Sequence, residues 1–183
     1  MAIIKPRNAR ALTSLTTNGL QIVIPPQKNL FRLLFLSMWL IGWAIGEFVV
    51  ATSLIQSPLG VDSVMFSTIW LTGWTIGGGF AIYLWVWNTA GKEIITINNL
   101  RWIVKKDLFG HGRVQEYETP YITNLRISSE PFNPFDLSFA LHFWGIGGGT
   151  LAFDYGARTY RCCNGLDEAE TYQLISRIQE YLK

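Results

Sequence analysis

Few side chains in this sequence are of a type that does chemistry, and their spacing does not bring them together. His111 and His142 are the only histidines, and neither has a Cys, His, Asp or Glu at a metal-ligand spacing. His111 is expected in an exposed turn and His142 in a strand. Cys162 and Cys163 are adjacent. Successive side chains on a strand point to opposite faces, so one is expected in a core and the other at the surface, which argues against a vicinal disulfide or a two-cysteine metal site. A nucleophilic thiol needs an electropositive setting and a base, and the neighbouring Arg161 alone supplies neither. The glycine-rich run 145–149 (GIGGG) lies between two predicted strands. A phosphate-cradling loop would open a helix and carry a lysine, so this run reads as a tight hairpin turn. No enzyme activity, cofactor or metal is expected from these residues.

Glu47 is different, because of where it stands. Residues 33–55 read LLFLSMWLIGWAIGEFVVATSLI with this single charge, and residues 64–87 read VMFSTIWLTGWTIGGGFAIYLWVW with none. A helix of about 20 apolar residues crosses the ~30 Å core of a bilayer, so both runs are predicted to span. Residues 56–63 between them contain Pro58 and Gly60 and are too few for anything but an antiparallel hairpin. Lys28 and Arg32 precede the first span and Lys92 follows the second, whereas the joining loop has no Lys or Arg. Positive-inside reasoning therefore places both termini in the cytoplasm of an integral membrane protein. An acid inside a span is costly and is a functional candidate by default. The readings of Glu47 are a protonated side chain hydrogen-bonded to a threonine or backbone carbonyl within the hairpin, a buried contact to a partner membrane protein, and a proton or ion pathway.

The pattern W-L-x-G-W-x-I-G occurs at 39–46 and again at 70–77. Each copy holds a G-x-x-x-G step, Gly42/Gly46 and Gly73/Gly77, and small residues at that spacing allow close helix approach in lipid. Folding the hairpin at its loop, with Ile55 opposite Val64, sets Gly42 against Gly77, Gly46 against Gly73 and Glu47 against Thr72, with Thr68 and Thr75 nearby. An intramembrane contact built from Gly42, Gly46, Glu47, Thr72, Gly73 and Gly77 is expected. If this seam faces outward, a homo-oligomer is expected.

Past the spans, continuous apolar sequence gives way to alternation. Segments 92–98, 100–106, 113–118, 121–128, 137–144, 150–155 and 158–163 read as strands, and so does 20–24, before the membrane. Asp167, with Glu170 three residues on, is a capping-box-like start for a helix whose apolar positions are Ala169, Tyr172, Ile175, Ile178 and Leu182. The expected fold class is α+β: a two-helix transmembrane hairpin plus a small bent β-sheet or barrel with a C-terminal helix. The expected organisation is a flexible basic N-terminus (1–19), a strand and entry to the membrane (20–32), the hairpin (33–88) and a β-rich cytoplasmic domain (89–183). Arg101, Lys105, Lys106 and Arg113 could meet anionic lipid headgroups. Phe132 and Phe135, in the loop PFNPFD, could form a partner or interface loop. The formal net charge of +2 is too small to point to nucleic acid.

The run KEIITINNLRWIVKKDLFGHGRVQEYETPYITNLRI (92–127), with the tail GTLAFDYGARTYRCCNGLDEAE (149–170), resembles the membrane-anchored pleckstrin-homology-like proteins of prokaryotes. The layout is a strand, a two-helix membrane hairpin, meandering strands and a closing helix. The layout is also similar to a photosystem I assembly factor family with two N-terminal membrane helices and a soluble domain carrying a G-x-x-G-x-R-like turn, to which Gly110-His-Gly-Arg113 is similar in part. The absence of catalytic groups, a hairpin with close-packing glycines and one intramembrane acid, and a β-rich domain held at the membrane surface lead us to expect a non-enzymatic, membrane-tethered scaffold or assembly factor whose partners are a membrane protein complex and the lipid bilayer. The alternative is an anionic-lipid or headgroup sensing module at the cytoplasmic face.

Overall fold

The computed structural model describes residues 10–56, 60–128, 141 and 144–182. The chain divides into a β-rich unit, formed by residues 1–27 and 90–183, and a helical unit, residues 28–89.

The β-rich unit begins with β1 (Leu12–Thr16) and β2 (Gly19–Ile24), followed beyond the helices by β3 (Lys92–Ile97), β4 (Arg101–Leu108) and β5 (His111–Glu118). These form one antiparallel five-stranded sheet in the order β1-β2-β3-β4-β5. A 3-10 turn (Thr119–Tyr121) leads to β6 (Ile122–Ile127), β7 (Leu151–Tyr155) and β8 (Arg158–Cys162), a separate three-stranded antiparallel sheet. Helix α3 (Glu168–Tyr181) closes the unit.

Alternation explains the pairing. Leu20, Ile22 and Ile24 of β2 lie opposite Ile97, Ile95 and Glu93 of β3, and Ile97 and Ile95 lie opposite Trp102 and Val104 of β4. Cross-strand partners share a face, so one face of the sheet is apolar from Leu20 to Ile24 and their partners, and turns charged only at the end that carries Glu93 and Lys106. Ile22, Ile95 and Ile97 are completely buried, each worth about 1.5–3 kcal/mol. The second sheet adds Leu151, Phe153 and Cys162, and α3 adds Leu174, Ile175 and Ile178. The Trp102 and Phe153 rings lie 5.2 Å apart, and Tyr117 meets Phe153, Tyr155 and Tyr160 edge-on at 4.9–5.3 Å.

The helical unit is α1 (Leu30–Gln56) and α2 (Val61–Ala90). Both are long and apolar enough to cross a membrane. Ile41, Ile45, Phe48, Met65, Phe66, Ile69 and Ile76 are all exposed. This unit is an insertion between two hydrogen-bonded strands. The chain leaves the sheet at Ile24, which is the register partner of Glu93, and rejoins it at Lys92. Both connections to the helices therefore attach at one end of the sheet.

Several expectations need correction. Residues 12–16 are not part of a flexible N-terminus: they form β1, paired with β2 from Leu12↔Val23 to Thr16↔Gly19. Glu170 fixes the chain there by accepting the backbone N–H groups of Arg10 and Ala11 at 2.5 and 2.6 Å. Asp167 does cap α3, accepting from the Glu170 N–H at 2.6 Å. The buried face of α3 is Glu170, Thr171, Leu174, Ile175 and Ile178, whereas Tyr172 is 61% exposed. The predicted strand 137–144 falls largely outside the described residues, but Leu141 is helical and Trp144 lies in a turn. The Leu141 carbonyl accepts from Ile146 N at 3.0 Å, and Gly145 has φ +79°. Glycine takes that left-handed position at no steric cost, and the run closes back on a helical residue, not on a strand.

Candidate functional site

The W-L-x-G-W-x-I-G repeat produces a reciprocal brace. The second tryptophan of each copy donates across the hairpin: Trp43 Nε1 to the Trp74 carbonyl at 3.0 Å and Trp74 Nε1 to the Trp43 carbonyl at 3.4 Å. Trp39 and Trp70 flank Trp74 at ring-centroid distances of 6.2 and 5.6 Å. Nearer the ends of the hairpin, Trp85 Nε1 donates to Ser37 Oγ at 2.9 Å.

The expected glycine-on-glycine seam is not formed. An added Cβ at Gly42, Gly73 or Gly77 would meet nothing within 4 Å, and of the four only one added at Gly46 would meet the other helix, 3.7 Å from the Trp74 ring. The glycine that the seam requires is Gly78, where a Cβ would overlap the Trp43 indole. The reason is steric. Two indoles fill the crossing and hold the backbones apart, so a glycine serves as a floor for a ring, not as a backbone contact. Glu47 also pairs one turn away from expectation. Its Oε1 is 2.6 Å from Thr75 Oγ1, which also bonds the Leu71 carbonyl at 2.7 Å. Thr72 instead donates to the Thr68 carbonyl and remains exposed. Glu47 Oε2 is buried and has no partner among the described residues.

In the β-rich unit, the four basic headgroup candidates separate. Arg101 starts β4, at the end of the sheet away from the helix connections, and is ion-paired with Glu116 at 3.0 Å. Lys105, Lys106 and Arg113 lie at the other end, where Lys106 is the register partner of both Glu93 and Arg113. Lys105 Nζ bonds Asp107 Oδ1 at 2.6 Å and the Gly110 carbonyl at 2.9 Å, and Lys92 is 3.5 Å from Asp107 Oδ2. Lys105, and then Gly110 N and Lys92, hold the Asp107 carboxyl below its ordinary range against the opposing effect of burial. Sequence reasoning missed Lys92 and Asp107 as members of this cluster, because their contact exists only through β3–β4 register.

Glu93 is 5% exposed. Its Oε2 accepts from Cys163 N at 2.9 Å and Asn164 N at 3.1 Å. Burial raises its pKa, more than the two N–H donors and Lys106 lower it. Cys162 and Cys163 are both buried, with Sγ atoms 3.7 Å apart. The expectation of one exposed thiol fails because Cys163 adopts φ +68°, which ends the strand and breaks the alternation. Burial, then Cys162, pushes the Cys163 thiol well up. The thiol–thiol bond by itself lowers Cys162, but burial and the Glu93 charge outweigh it. Two buried, protonated thiols are poor nucleophiles.

On the second sheet, Asp154 accepts from Thr159 Oγ1 at 2.7 Å, Asn124 Nδ2 at 2.8 Å and Arg126 Nη1 at 2.8 Å. In that order of effect, these hold its carboxyl low. The network secures a register shift between Thr123 and Arg126, where Asn124 takes φ +53°. His111 is exposed at the start of β5. Phe132, Phe135 and His142 lie outside the described residues. Among the described residues, no group of three or more His, Cys, Asp and Glu side chains is placed to hold a metal ion.

No protein-family model, no curated protein and no solved structure matches this chain.

Proposed function

We propose that this chain is an integral membrane protein acting as a non-enzymatic scaffold or assembly factor for a membrane protein complex, with α1 and α2 spanning the bilayer and the β-rich unit tethered on the cytoplasmic face. One observation carries the reading. The hairpin satisfies its own seam with tryptophans and leaves Gly42, Gly73 and Gly77 as bare backbone on its outer surface. In lipid, close helix approach through small residues is a principal source of association, and these glycines are available for it. Support for the pleckstrin-homology-like layout comes from the order of elements: a meander of strands, a second three-stranded sheet and a closing helix. Tethering raises the effective concentration of the β-rich unit for a partner in the same membrane. The flanking Lys28, Arg32 and Lys92 supply the orientation.

The test is mild-detergent affinity purification of the tagged chain from its native membrane with mass spectrometry, repeated with Gly73→Leu/Gly77→Leu and with Glu47→Ala. A stoichiometric membrane partner lost in the glycine variant supports the reading, and a stable self-complex lost in the same variant identifies the partner as a second copy. A protein that purifies alone, or a partner indifferent to all three substitutions, overturns it. A second reading, recognition of anionic lipid headgroups, is favoured by the gathering of Lys92, Lys105, Lys106 and Arg113 at one end of the sheet. Binding that depends on anionic lipid and is lost on reversing Lys105 and Lys106 would support it.

A further inference from the structure

We propose that the Phe109–Gly110 turn is a bilayer-interface anchor: the Phe109 ring enters the boundary between headgroups and acyl chains, and the basic residues around it face anionic headgroups. The proposal rests on the reading that α1 and α2 span the membrane.

The first argument is conformational. Phe109 and Gly110 join β4 to β5 with φ of +53° and +89°, the signs of a two-residue type I′ hairpin. The first position of that turn favours Asn, Asp or Gly, and a bulky side chain there is an outlier. The ring is also 73% exposed, so burial in the core does not explain it. A strained backbone carrying an exposed aromatic at a loop tip points to a function for the ring.

The second argument is position. The β4–β5 turn follows Asp107, the partner of Lys92 at the first residue of β3. It therefore extends from the same end of the sheet at which the chain departs for α1 and returns from α2. Only Gly91 separates α2 from β3. With α2 in the bilayer, Lys92 at that end of the sheet is two residues from the helix end, and aromatic side chains concentrate at the membrane interface.

Charge and rigidity agree. Lys92 and Lys105 on one face and Lys106 and Arg113 on the other lie at the turn's end of the sheet, against two carboxylates, Asp107 and Glu93; the opposite end of β4 and β5 carries Arg101 with Glu116 and Glu118. Basic residues near a membrane surface attract anionic lipid. The turn is braced by Lys105 Nζ on the Gly110 carbonyl at 2.9 Å and by Gly110 N on Asp107 Oδ2 at 3.3 Å, so the ring is presented on a fixed support.

The sheet supplies its own control. Leu100, in the β3–β4 turn at the far end, is 72% exposed, against 73% for Phe109. The experiment reconstitutes the full chain in phosphatidylcholine vesicles with and without phosphatidylglycerol. Single cysteines introduced as Phe109→Cys, Leu100→Cys or Ile45→Cys carry an environment-sensitive NBD label, and nitroxide lipids with shallow or deep spin labels act as quenchers. The native thiols are buried and protonated and stay unlabelled. The expected result is blue-shifted emission at 109 quenched by shallow nitroxides, deep quenching at 45, and water-like emission at 100. Emission at 109 as water-like as at 100, with 45 deeply quenched, overturns the anchor and leaves the span intact. A label at 45 that lipid does not quench overturns the spanning reading itself. Phe109→Asn, which suits the backbone, is expected to fold at least as well as wild type; in it, a label at His111→Cys should lose the shallow quenching seen when Phe109 is present. Quenching at 111 unchanged by Phe109→Asn also overturns the role of the ring.

Discussion

At the scale of single residues, steric space and burial decide the outcomes. Gly77 and Gly78 are neighbours on α2, yet one faces open space and the other supports the Trp43 ring. Gly77→Ala should leave the thermal stability of the detergent-solubilised protein within about 0.5 kcal/mol of wild type, whereas Gly78→Ala should cost about 1–3 kcal/mol by overpacking the seam. Equal losses for both, read by circular dichroism on heating, would mean that the indole does not occupy that place. Phe109→Asn should gain up to about 1–2 kcal/mol, because a left-handed backbone is unfavourable for an L-residue with a large side chain. The acids predict opposite pH effects. Glu93 has a raised folded pKa, so its contribution is fully present below the unfolded value near 4.5 and is lost as pH rises through the folded value. Asp107 has a lowered folded pKa, so its contribution is present above its unfolded value near 3.8 and is lost as pH falls through the folded one. Melting temperatures of Glu93→Gln and wild type across the range from pH 4 to 8 should therefore diverge in favour of the variant as pH rises. A constant gap would show that Glu93 ionises as easily folded as unfolded.

At the scale of elements, β1 and α3 depend on each other. Glu170 on α3 holds the two amides that lead into β1, and Asp167 caps the same helix. Glu170→Ala should accelerate amide hydrogen exchange in β1 while leaving β2, which also pairs with β3, protected; unchanged protection in β1 would show that strand pairing alone retains it. Asp167→Ala should cost about 1 kcal/mol as a lost N-cap. β1 was not legible as a strand because LTSLT has no clean alternation and both its leucines are exposed. Its strand character comes from pairing with β2, not from a buried face. The α3 face was misread for a related reason. The interior position next to Ile175 is taken by Thr171, whose hydroxyl bonds Thr150 Oγ1 and the Asp167 carbonyl, so a polar residue stands where apolar periodicity led to Tyr172.

For the whole molecule, the connectivity is the main fact. The helices occupy the loop of what is otherwise an antiparallel β2–β3 hairpin, with Val23↔Ile94 and Ile24↔Glu93 already paired at its end. Replacing residues 28–89 with a short Gly/Asn turn should therefore yield a folded, water-soluble β-rich unit that retains amide protection in β2–β4 and the buried Trp102 core. An aggregated or unfolded product would show that the sheet needs the helices for its stability. The same deletion should abolish co-purification with any membrane partner.

The sequence by itself determined the two long apolar runs, the antiparallel hairpin between them, most strands and the Asp167 cap, because each rests on local pattern: continuous hydrophobicity, period-two alternation, or a side chain three residues from the amide it caps. It also showed the tryptophan–glycine repeat, but not its use. Whether a glycine meets a backbone, a ring or open space depends on the rotation of each helix about its axis, which a one-dimensional register does not contain. The pairing of Glu47 with Thr75, the burial of both cysteines and the gathering of Lys92, Lys105 and Asp107 around the Phe109 turn were likewise decided by tertiary structure. Each depends on groups distant in the chain being brought within hydrogen-bond reach, or on a single left-handed residue that reverses the facing of its neighbours.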